Sequence, residues 1–326
     1  MNYTTLGTTG LKVSRLALGC SSFGGTGAEG YEWSFGYDRA KQIIDRAIDL
    51  GINYFDTADV YSYGKSEEIL GRALDGRRKE FVISTKVGLP TGKRPEDRGL
   101  GKKHIATSLG ASLRHLKTDW IDLYQIHRWD YETPPQEFLE TLTGTIKDGK
   151  VHHLGASSTW AWQLEKALCI SESKGLARFE TMQDHYNLVY REEEREMIPL
   201  CREEDVAILP WSPLARGFLS GRYKRNGSQD SHRYKKDTLL RERFFKPEDF
   251  DVLEALEGVA SELGAKPSQV ALAWLLGKKD VAVPVVGPTS VEQLDELVES
   301  VDIRLSRERV KRLEERYVPH AVLEHS

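Results

Sequence analysis

The chain has 326 residues, of which 39% are hydrophobic and 29% charged, which suits one (β/α)8 barrel or two smaller domains. The formal net charge of −4 argues against nucleic acid as the main partner, because phosphate binding relies on an excess of Lys and Arg. The sequence contains no apolar run long enough to cross a membrane and begins without the pattern of a signal peptide. We therefore expect a cytoplasmic protein that binds neither nucleic acid nor a membrane.

The cysteines and the paired histidines bear on redox state and metal binding. Cys20, Cys169 and Cys201 make an odd count without paired spacing, which is typical of reduced thiols. Neither these cysteines nor His152 and His153 have the spacing of zinc ligands. The sequence therefore predicts no metal site.

Short apolar segments alternate with segments of helical periodicity along most of the chain. Before them, residues 3–6 and 11–14 flank a glycine-rich turn and predict a β-hairpin. The predicted strands are 16–19, 52–55, 81–86, 121–127, 151–157, 181–184, 207–211 and 281–285. The predicted helices include 39–50, 103–116, 160–174 and 194–204. Two more are predicted to start near Glu67, after a turn and N-cap in residues 64–66, and after Thr133. Eight such units favour a closed (β/α)8 TIM barrel as a single domain over residues 1–326, with a doubly wound sheet as the alternative.

One long interval lacks periodicity. Residues 216–247, after the seventh predicted strand, are rich in glycine and charge and predict a long loop. The basic residues of this loop are Arg222, Lys224, Arg225, Arg233, Lys235 and Lys236. Such a loop serves as a lid that contacts phosphate, or it is a solvated segment.

Residues with side chains of catalytic type follow three neighbouring predicted strands. Asp56 and Tyr61 come after the second strand, Lys86 ends the third, and His127 ends the fourth. In a parallel sheet, the loops at the carboxyl ends of the strands build the ligand site. We therefore expect these four side chains to meet at one mouth of the barrel.

Three segments around these residues resemble signatures of the aldo-keto reductases. They are residues 55–61 with 64–67, residues 84–86, and residues 122–128, and the nearest branch is the aryl-alcohol dehydrogenase-like group. The resemblance runs through nearly the whole chain. It implies a barrel enzyme that uses NAD(P)H to reduce aldehydes or ketones to alcohols, or catalyses the reverse, on small molecules.

The chemistry of the four residues agrees with that resemblance. A free phenol has a pKa of about 10, so Tyr61 needs an adjacent ammonium, Lys86, to lower its pKa before it can donate a proton near neutrality. Asp56 would pair with Lys86, and His127 would hydrogen-bond the substrate carbonyl oxygen. Since no side chain supplies a hydride, a nicotinamide cofactor is required.

Further segments resemble the cofactor-binding parts of the family, namely 149–150 with 154–158, 210–214 and 287–294. The resemblance implies that Trp211 stacks on the nicotinamide and that Ser157, Ser158 and Gln183 bind its carboxamide. The residues that it implies for binding NADPH, with NADH as the alternative, are Gly19, Cys20, Ser21, Asp56, Ser157, Ser158, Gln183, Trp211, Ser212, Pro213, Leu214, Arg216, Gly217, Gly287, Thr289, Ser290 and Gln293.

The segment implied for the adenosine phosphate departs from the family pattern. Members that prefer NADPH carry Lys or Arg beside this loop, whereas Thr289 and Ser290 are neutral. We therefore expect only a modest preference for NADPH, unless Arg222 or Lys224 of the long loop compensates.

Two other functions fit parts of the pattern. Lys86 beside an aspartate is also typical of barrel aldolases that form a Schiff base. A slow or non-catalytic nicotinamide-binding regulatory subunit, like the potassium-channel β subunits, would share the fold. If the protein is an enzyme, the predicted walls of its substrate pocket are Trp33, Tyr63, Arg128 and Trp129.

Overall fold

The structure is a computed structural model, and it describes residues 1–25, 33–225, 234, 240 and 243–322. A hairpin of β1 (Tyr3–Thr5) and β2 (Lys12–Ser14) comes first. The other strands are β3 (Ala17–Gly19), β4 (Tyr54–Asp56), β5 (Val82–Val87), β6 (Ile121–Ile126), β7 (Val151–Ser157), β8 (Phe179–Gln183), β9 (Ala207–Ile208) and β10 (Val285–Val286). The helices are α1 (Tyr37–Asp49), α2 (Lys65–Ala73), α3 (Lys102–His115), α4 (Pro135–Lys147), α5 (Ala161–Lys174), α6 (Met197–Glu203), α7 (Pro247–Leu263), α8 (Pro267–Gly277), α9 (Val291–Val298) and α10 (Arg307–Glu314).

Strands β3 to β10 form one parallel sheet in which neighbours in sequence are neighbours in space. The last strand pairs with the first of the series. Hydrogen bonds also join residues 282–285, at and before the last strand, to residues 208–210, at and after the seventh. They run from Ala282 N to Ile208 O (3.0 Å), from Val283 N to Ile208 O (3.5 Å) and from Val285 N to Pro210 O (2.9 Å). The sheet therefore closes on itself as the predicted (β/α)8 barrel, and the doubly wound alternative is wrong because it requires a reversal of strand order.

The seventh and eighth barrel strands are shorter than the predicted ranges 207–211 and 281–285, and the eighth lies later in the chain. Pro210 and Pro284 interrupt these segments. Proline has no N–H to donate to a strand ladder, so regular pairing stops at each one. Residues 247–277, for which the pattern predicted no element, form α7 and α8.

The hairpin closes the amino-terminal end of the barrel. Leu6 and Val13 are fully buried and pack with Tyr54, Val82 and Leu123 near the amino ends of three barrel strands. Side chains alternate between the two faces of a strand, so the residues two and four positions later also point into the barrel. The interior is therefore apolar at one end and carries the polar candidate residues towards the other.

Helix α2 begins earlier than predicted. It starts at Lys65, directly after Gly64, whose φ of 86° is left-handed and favours glycine. Ser66 lies inside the first turn, and its hydroxyl donates to Cys20 O at 2.7 Å instead of capping the helix. This bond ties α2 to the loop after β3, beside the mouth of the barrel.

The long predicted loop is structured where it is described. A short 3-10 segment covers Ala215–Ser220, and Lys224 and Arg225 form ion pairs with acidic residues of α7. Residues 226–233, 235–239 and 241–242 lie outside the described residues, and they include Arg233, Lys235 and Lys236. No helix in the described ranges is long and apolar enough to cross a membrane.

Two helical glycines provide a test of the packing. A Cβ on Gly71 of α2 would lie 2.3 Å from the backbone oxygen of His115, whereas a Cβ on Gly144 of α4 would meet nothing within 4 Å. We predict that Gly71→Ala lowers the free energy of unfolding by about 1–3 kcal/mol through overpacking. The control, Gly144→Ala, is expected to raise it by about 0.5–1 kcal/mol because alanine favours helix. Urea unfolding of both variants measures the two changes, and equal effects would contradict the close helix contact.

Candidate active site

The ion pair of Lys86 and Asp56 lies at the centre of the polar end of the barrel. Lys86 Nζ is 2.6 Å from Asp56 Oδ1, and the two side chains are 0% and 3% exposed. Burial lowers the pKa of Lys86, but Asp56 and Tyr61 together more than offset this, so the pKa of Lys86 is raised above the ordinary value. Lys86 is therefore a cation at neutral pH, paired with Asp56 as the sequence predicted.

Three strands hold the second oxygen of Asp56. Ser84 Oγ donates to Oδ2 at 2.7 Å, Gln183 Nε2 at 2.9 Å and Gln125 Nε2 at 3.3 Å. Sequence reasoning missed Ser84 and Gln125 in this role. Each stands two residues before a candidate residue, Lys86 or His127, and so faces the same side of its strand. The alternation of side chains along each strand was the signal that would have identified both residues.

A glycine makes room for this network. A Cβ on Gly155 of β7 would lie 2.3 Å from Thr181 Oγ1 and 2.9 Å from Gln125 Cγ. Gly155 faces the barrel interior, where any larger side chain would displace Gln125 from Asp56.

The remaining contacts of Lys86 determine which role the Tyr61 hydroxyl can take towards it. Lys86 Nζ donates to Asp56 Oδ1 and to Thr57 O at 2.8 Å, and it lies 5.2 Å from the centroid of the Tyr61 ring. An ammonium group has three donors and no acceptor, so Lys86 can donate to Tyr61 Oη but cannot accept its proton in a hydrogen bond. The hydroxyl hydrogen of Tyr61 is therefore available to another acceptor.

The pKa of Tyr61 differs from the sequence prediction. Burial raises the pKa of the phenol, and this outweighs the lowering by Lys86, so the net shift is upward from 10. The predicted lowering considered the charge of Lys86 without the loss of hydration, which the sequence does not display. In this structure Tyr61 is a neutral phenol at neutral pH.

His127 lies beside Tyr61, with ring centroids 5.8 Å apart and the planes nearly perpendicular. Burial, followed by the charges of Arg128 and Lys86, holds the pKa of His127 well below its ordinary value. Its Nδ1 is buried and has no hydrogen-bond partner among the described residues. The neutral ring therefore has a nitrogen that can bind a polar atom beside Tyr61.

Arg128 brings a second cation to the same region. Burial lowers its pKa to about 10, while the nearby Tyr61 and Asp184 act in the opposite direction. Burial also raises the pKa of Asp184 to about 8, and this carboxyl is fully buried with neither oxygen hydrogen-bonded within the described part of the chain. The sequence analysis named Arg128 as a wall residue but missed Asp184, which follows Gln183 directly.

The other predicted wall residues lie in different surroundings. Tyr63 is 57% exposed, and Trp129 packs edge-on against Phe138. Trp33 lies 6.0 Å from the Arg216 guanidinium, measured to the ring centroid. Trp33 and Trp129 thus contact different parts of the chain, the turn at Arg216 and helix α4.

The residues implied for the carboxamide come together at the ends of β7 and β8. Ser157 Oγ donates to Gln183 O at 3.0 Å, and Trp211 Nε1 donates to Ser158 Oγ at 3.0 Å. The Trp211 ring stacks on His185 with centroids 4.2 Å apart. One face of the indole is thus packed against protein, and His185 was missed by sequence reasoning.

The loop after β9 contains several left-handed residues. Ser212, Arg216 and Gly217 have φ values of 48°, 55° and 98°. Pro213 is buried and Leu214 half-buried in the same turn, and Ser212 O accepts a hydrogen bond from Asn187 Nδ2 at 3.0 Å. The segment 212–217 is therefore a compact turn next to Trp211.

The residues implied after β3 have structural roles of their own. A Cβ on Gly19 would lie 2.9 Å from Val285 Cγ1, so the close approach of β10 accounts for this glycine. Cys20 is fully buried in the core, and its N–H donates to Asp56 O at 2.8 Å. Ser21 is half-buried.

The last cofactor segment is a loop followed by α9. Gly287 lies beside Gly19, whose carbonyl oxygen would be 3.9 Å from a Cβ on Gly287. Gln293 Oε1 accepts hydrogen bonds from Thr289 N (2.8 Å) and Thr289 Oγ1 (2.9 Å). Ser290 is the N-cap of α9 and accepts from Gln293 N at 3.3 Å. These contacts hold Thr289, Ser290 and Gln293 together at the start of α9.

The donor set of these segments fits a dinucleotide. Ser158, Gln183 and Trp211 offer amide, hydroxyl and aromatic groups at one end, next to the ion pair. At the other end, the first turn of α9 offers hydroxyl and backbone N–H donors, which suit a phosphate. No group of three or more His, Cys, Asp or Glu in the described ranges is arranged to hold a metal ion.

Comparison with known proteins agrees with this arrangement. The sequence profile of the Aldo/keto reductase family matches residues 15–317. The chain is 36% identical to versiconal hemiacetal acetate reductase of Aspergillus parasiticus over 99% of its own length and 98% of that protein. It is 36% identical to the oxidoreductase YrpG of Bacillus subtilis (96% and 95% covered) and to an aryl-alcohol dehydrogenase-like protein of Schizosaccharomyces pombe (97% and 96%).

These matches extend over nearly the whole barrel, including every segment that carries the four candidate residues. The fold, the polar mouth and the similarity in sequence lead to the same assignment. The chain belongs to the aldo/keto reductase family.

Proposed function

We propose that this protein is an NAD(P)H-dependent oxidoreductase that interconverts small aldehydes or ketones and alcohols, with NADPH as the preferred cofactor. The observation that carries the proposal is the position of Tyr61 beside the buried ion pair of Lys86 and Asp56. Because an ammonium group cannot accept a hydrogen bond, Lys86 leaves the Tyr61 hydroxyl proton available. A bound nicotinamide would supply the hydride that no side chain can supply.

The four side chains then have distinct tasks in carbonyl reduction. Tyr61 donates its proton to the substrate oxygen, and the neighbouring Lys86 stabilises the phenolate left behind. Asp56 keeps Lys86 charged and in place. His127, which is neutral, hydrogen-bonds the substrate oxygen and orients it beside the Tyr61 hydroxyl. Gln183 joins this centre to the carboxamide end of the cofactor site, because its amide binds Asp56.

The surroundings of Lys86 argue against a Schiff-base mechanism. A lysine nucleophile must lose its proton, which requires a lowered pKa and access to the substrate. Lys86 has a raised pKa and is 0% exposed. Borohydride added with substrate is therefore expected to leave Lys86 unmodified.

We predict that Tyr61→Phe removes most carbonyl reduction because the transferred proton is lost, with a decrease in kcat of roughly 10² to 10⁴-fold. Cofactor binding, measured by fluorescence titration, should change little. Tyr3→Phe, at the opposite end of the barrel, is the control and should keep its activity. An aromatic aldehyde with NADPH and with NADH is the first substrate to assay. Slow turnover by the parent protein would favour the regulatory-subunit function.

Lys86→Met is expected to damage both activity and stability. Without the ammonium, the pKa of Tyr61 rises further and the phenolate loses its stabilising charge. Breaking the buried pair should also cost about 3–5 kcal/mol of unfolding free energy because Asp56 is left unpaired. Lys65→Met removes an exposed lysine at the start of α2 and should leave both quantities unchanged. A folded Lys86→Met variant with the parental pH-rate profile would refute the coupling to Tyr61.

The pKa shifts also predict the pH dependence of the chemical step. His127 is neutral above its pKa, which lies well below 6.5, and Tyr61 keeps its proton below its pKa, which lies above 10. Both are in the required form between these values. The single-turnover rate of reduction should therefore be flat from about pH 6.5 to 9.5 and fall at higher pH. A rate that falls tenfold between pH 7 and 9 would contradict the raised pKa of Tyr61.

A further inference from the structure

The loop implied for the adenosine phosphate has a cation that comes from another part of the chain. Arg39, near the start of α1, donates from Nε to Thr289 O at 2.7 Å, and its Nη2 donates to the same oxygen. Its guanidinium also lies 4.6 Å from the centroid of the Phe35 ring. Thr289 and Ser290 of the loop are neutral. Arg39 therefore adds a positive charge beside the loop, and the sequence of the loop alone does not reveal it.

The packing of two helices accounts for this placement. Helices α1 and α9 are neighbours in the outer layer, and Arg46 of α1 forms an ion pair with Asp295 of α9 at 2.6 Å. Arg39 stands seven residues before Arg46, which puts both on the same face of α1. The helix contact therefore directs Arg39 to the residue that precedes the N-cap of α9.

A carboxylate lies in the same place. Glu292 stands in the first turn of α9, two residues after the N-cap Ser290, and its side chain is exposed. The N–H groups of a first helical turn stabilise a negative charge, whether it belongs to a side chain or to a ligand. Glu292 therefore competes with an anionic ligand group for this end of the helix.

Two basic residues of the long loop are engaged elsewhere. Lys224 pairs with Glu257, and Arg225 pairs with Asp251 at 2.5 Å and Glu254 at 3.1 Å. Both cations are therefore directed to α7. Arg39, in contrast, donates directly to the 289–293 loop.

We propose that Arg39 binds the 2′-phosphate of NADPH and that Glu292 opposes it, so that these two side chains together determine the preference between NADPH and NADH. A guanidinium forms paired, charge-assisted hydrogen bonds with phosphate, whereas a carboxylate repels it and accepts a hydrogen bond from a ribose hydroxyl. This inference rests on the proposed function, since it requires a nicotinamide cofactor. It gives a residue of α1, and not only the residues of the loop, a part in the selectivity between NADPH and NADH.

The test is a set of fluorescence titrations with NADP⁺ and with NAD⁺, without substrate, on the parent and three variants. Arg39→Met should weaken NADP⁺ binding roughly tenfold or more, since one charge-assisted pair is lost, and should change NAD⁺ binding less than about twofold. Glu292→Gln should raise the ratio of the NAD⁺ to the NADP⁺ dissociation constant severalfold. Lys41→Met removes a cation of α1 whose partner, Asp45, lies on the same helix, and it should leave that ratio unchanged. Affinity for NADP⁺ should also become less salt-dependent in Arg39→Met than in the parent.

The outcomes separate this inference from the proposed function. A parent protein that binds neither cofactor overturns both. A parent that binds both cofactors, with a ratio that neither Arg39→Met nor Glu292→Gln changes, overturns only the role of Arg39 and Glu292. If thermal melting shows that Arg39→Met does not fold, the Glu292→Gln ratio decides, and an unchanged ratio overturns the proposal.

Discussion

The buried ion pair between Lys86 and Asp56 is the interaction on which the rest of the candidate site depends. Both charges are removed from water, so each is stable only because the other lies 2.6 Å away and further polar groups bind it. The second oxygen of Asp56 is held by side chains from β5, β6 and β8. The complete set of bonds around the pair therefore forms only when β4, β5, β6 and β8 are assembled in the barrel, which couples the site to the fold.

Burial shifts the pKa values of Tyr61 and His127, the two neutral side chains of the site, in opposite directions. It raises the pKa of Tyr61 and lowers that of His127, because in each case it disfavours the charged form. Tyr61 thereby keeps its proton and His127 stays uncharged across the neutral range. This environment suits proton donation to a carbonyl oxygen better than proton removal from an alcohol. In the proposed reaction, Lys86 mainly stabilises the phenolate after the proton transfer.

The sequence predicted elements well where the pattern was regular and less well where backbone chemistry intervened. Strand β7 matches its predicted range 151–157, and the alternation of strands and helices led to the correct barrel. The seventh and eighth strands were predicted too long or displaced because Pro210 and Pro284 break the ladder. The start of α2 was misplaced because Gly64 supplies a left-handed N-cap without a side-chain bond.

The sequence by itself determined the barrel, its N-terminal hairpin and the four polar side chains at the carboxyl ends of consecutive strands. These features follow from local periodicity and from the rule that parallel strands end at one edge. Only the tertiary structure decided the contacts that cross between elements. Examples are Gln125 and Gln183 on Asp56, the net pKa of Tyr61, and the approach of Arg39 to Thr289. Such contacts join residues up to 250 positions apart, and their energies depend on burial and distance, which a linear pattern does not contain.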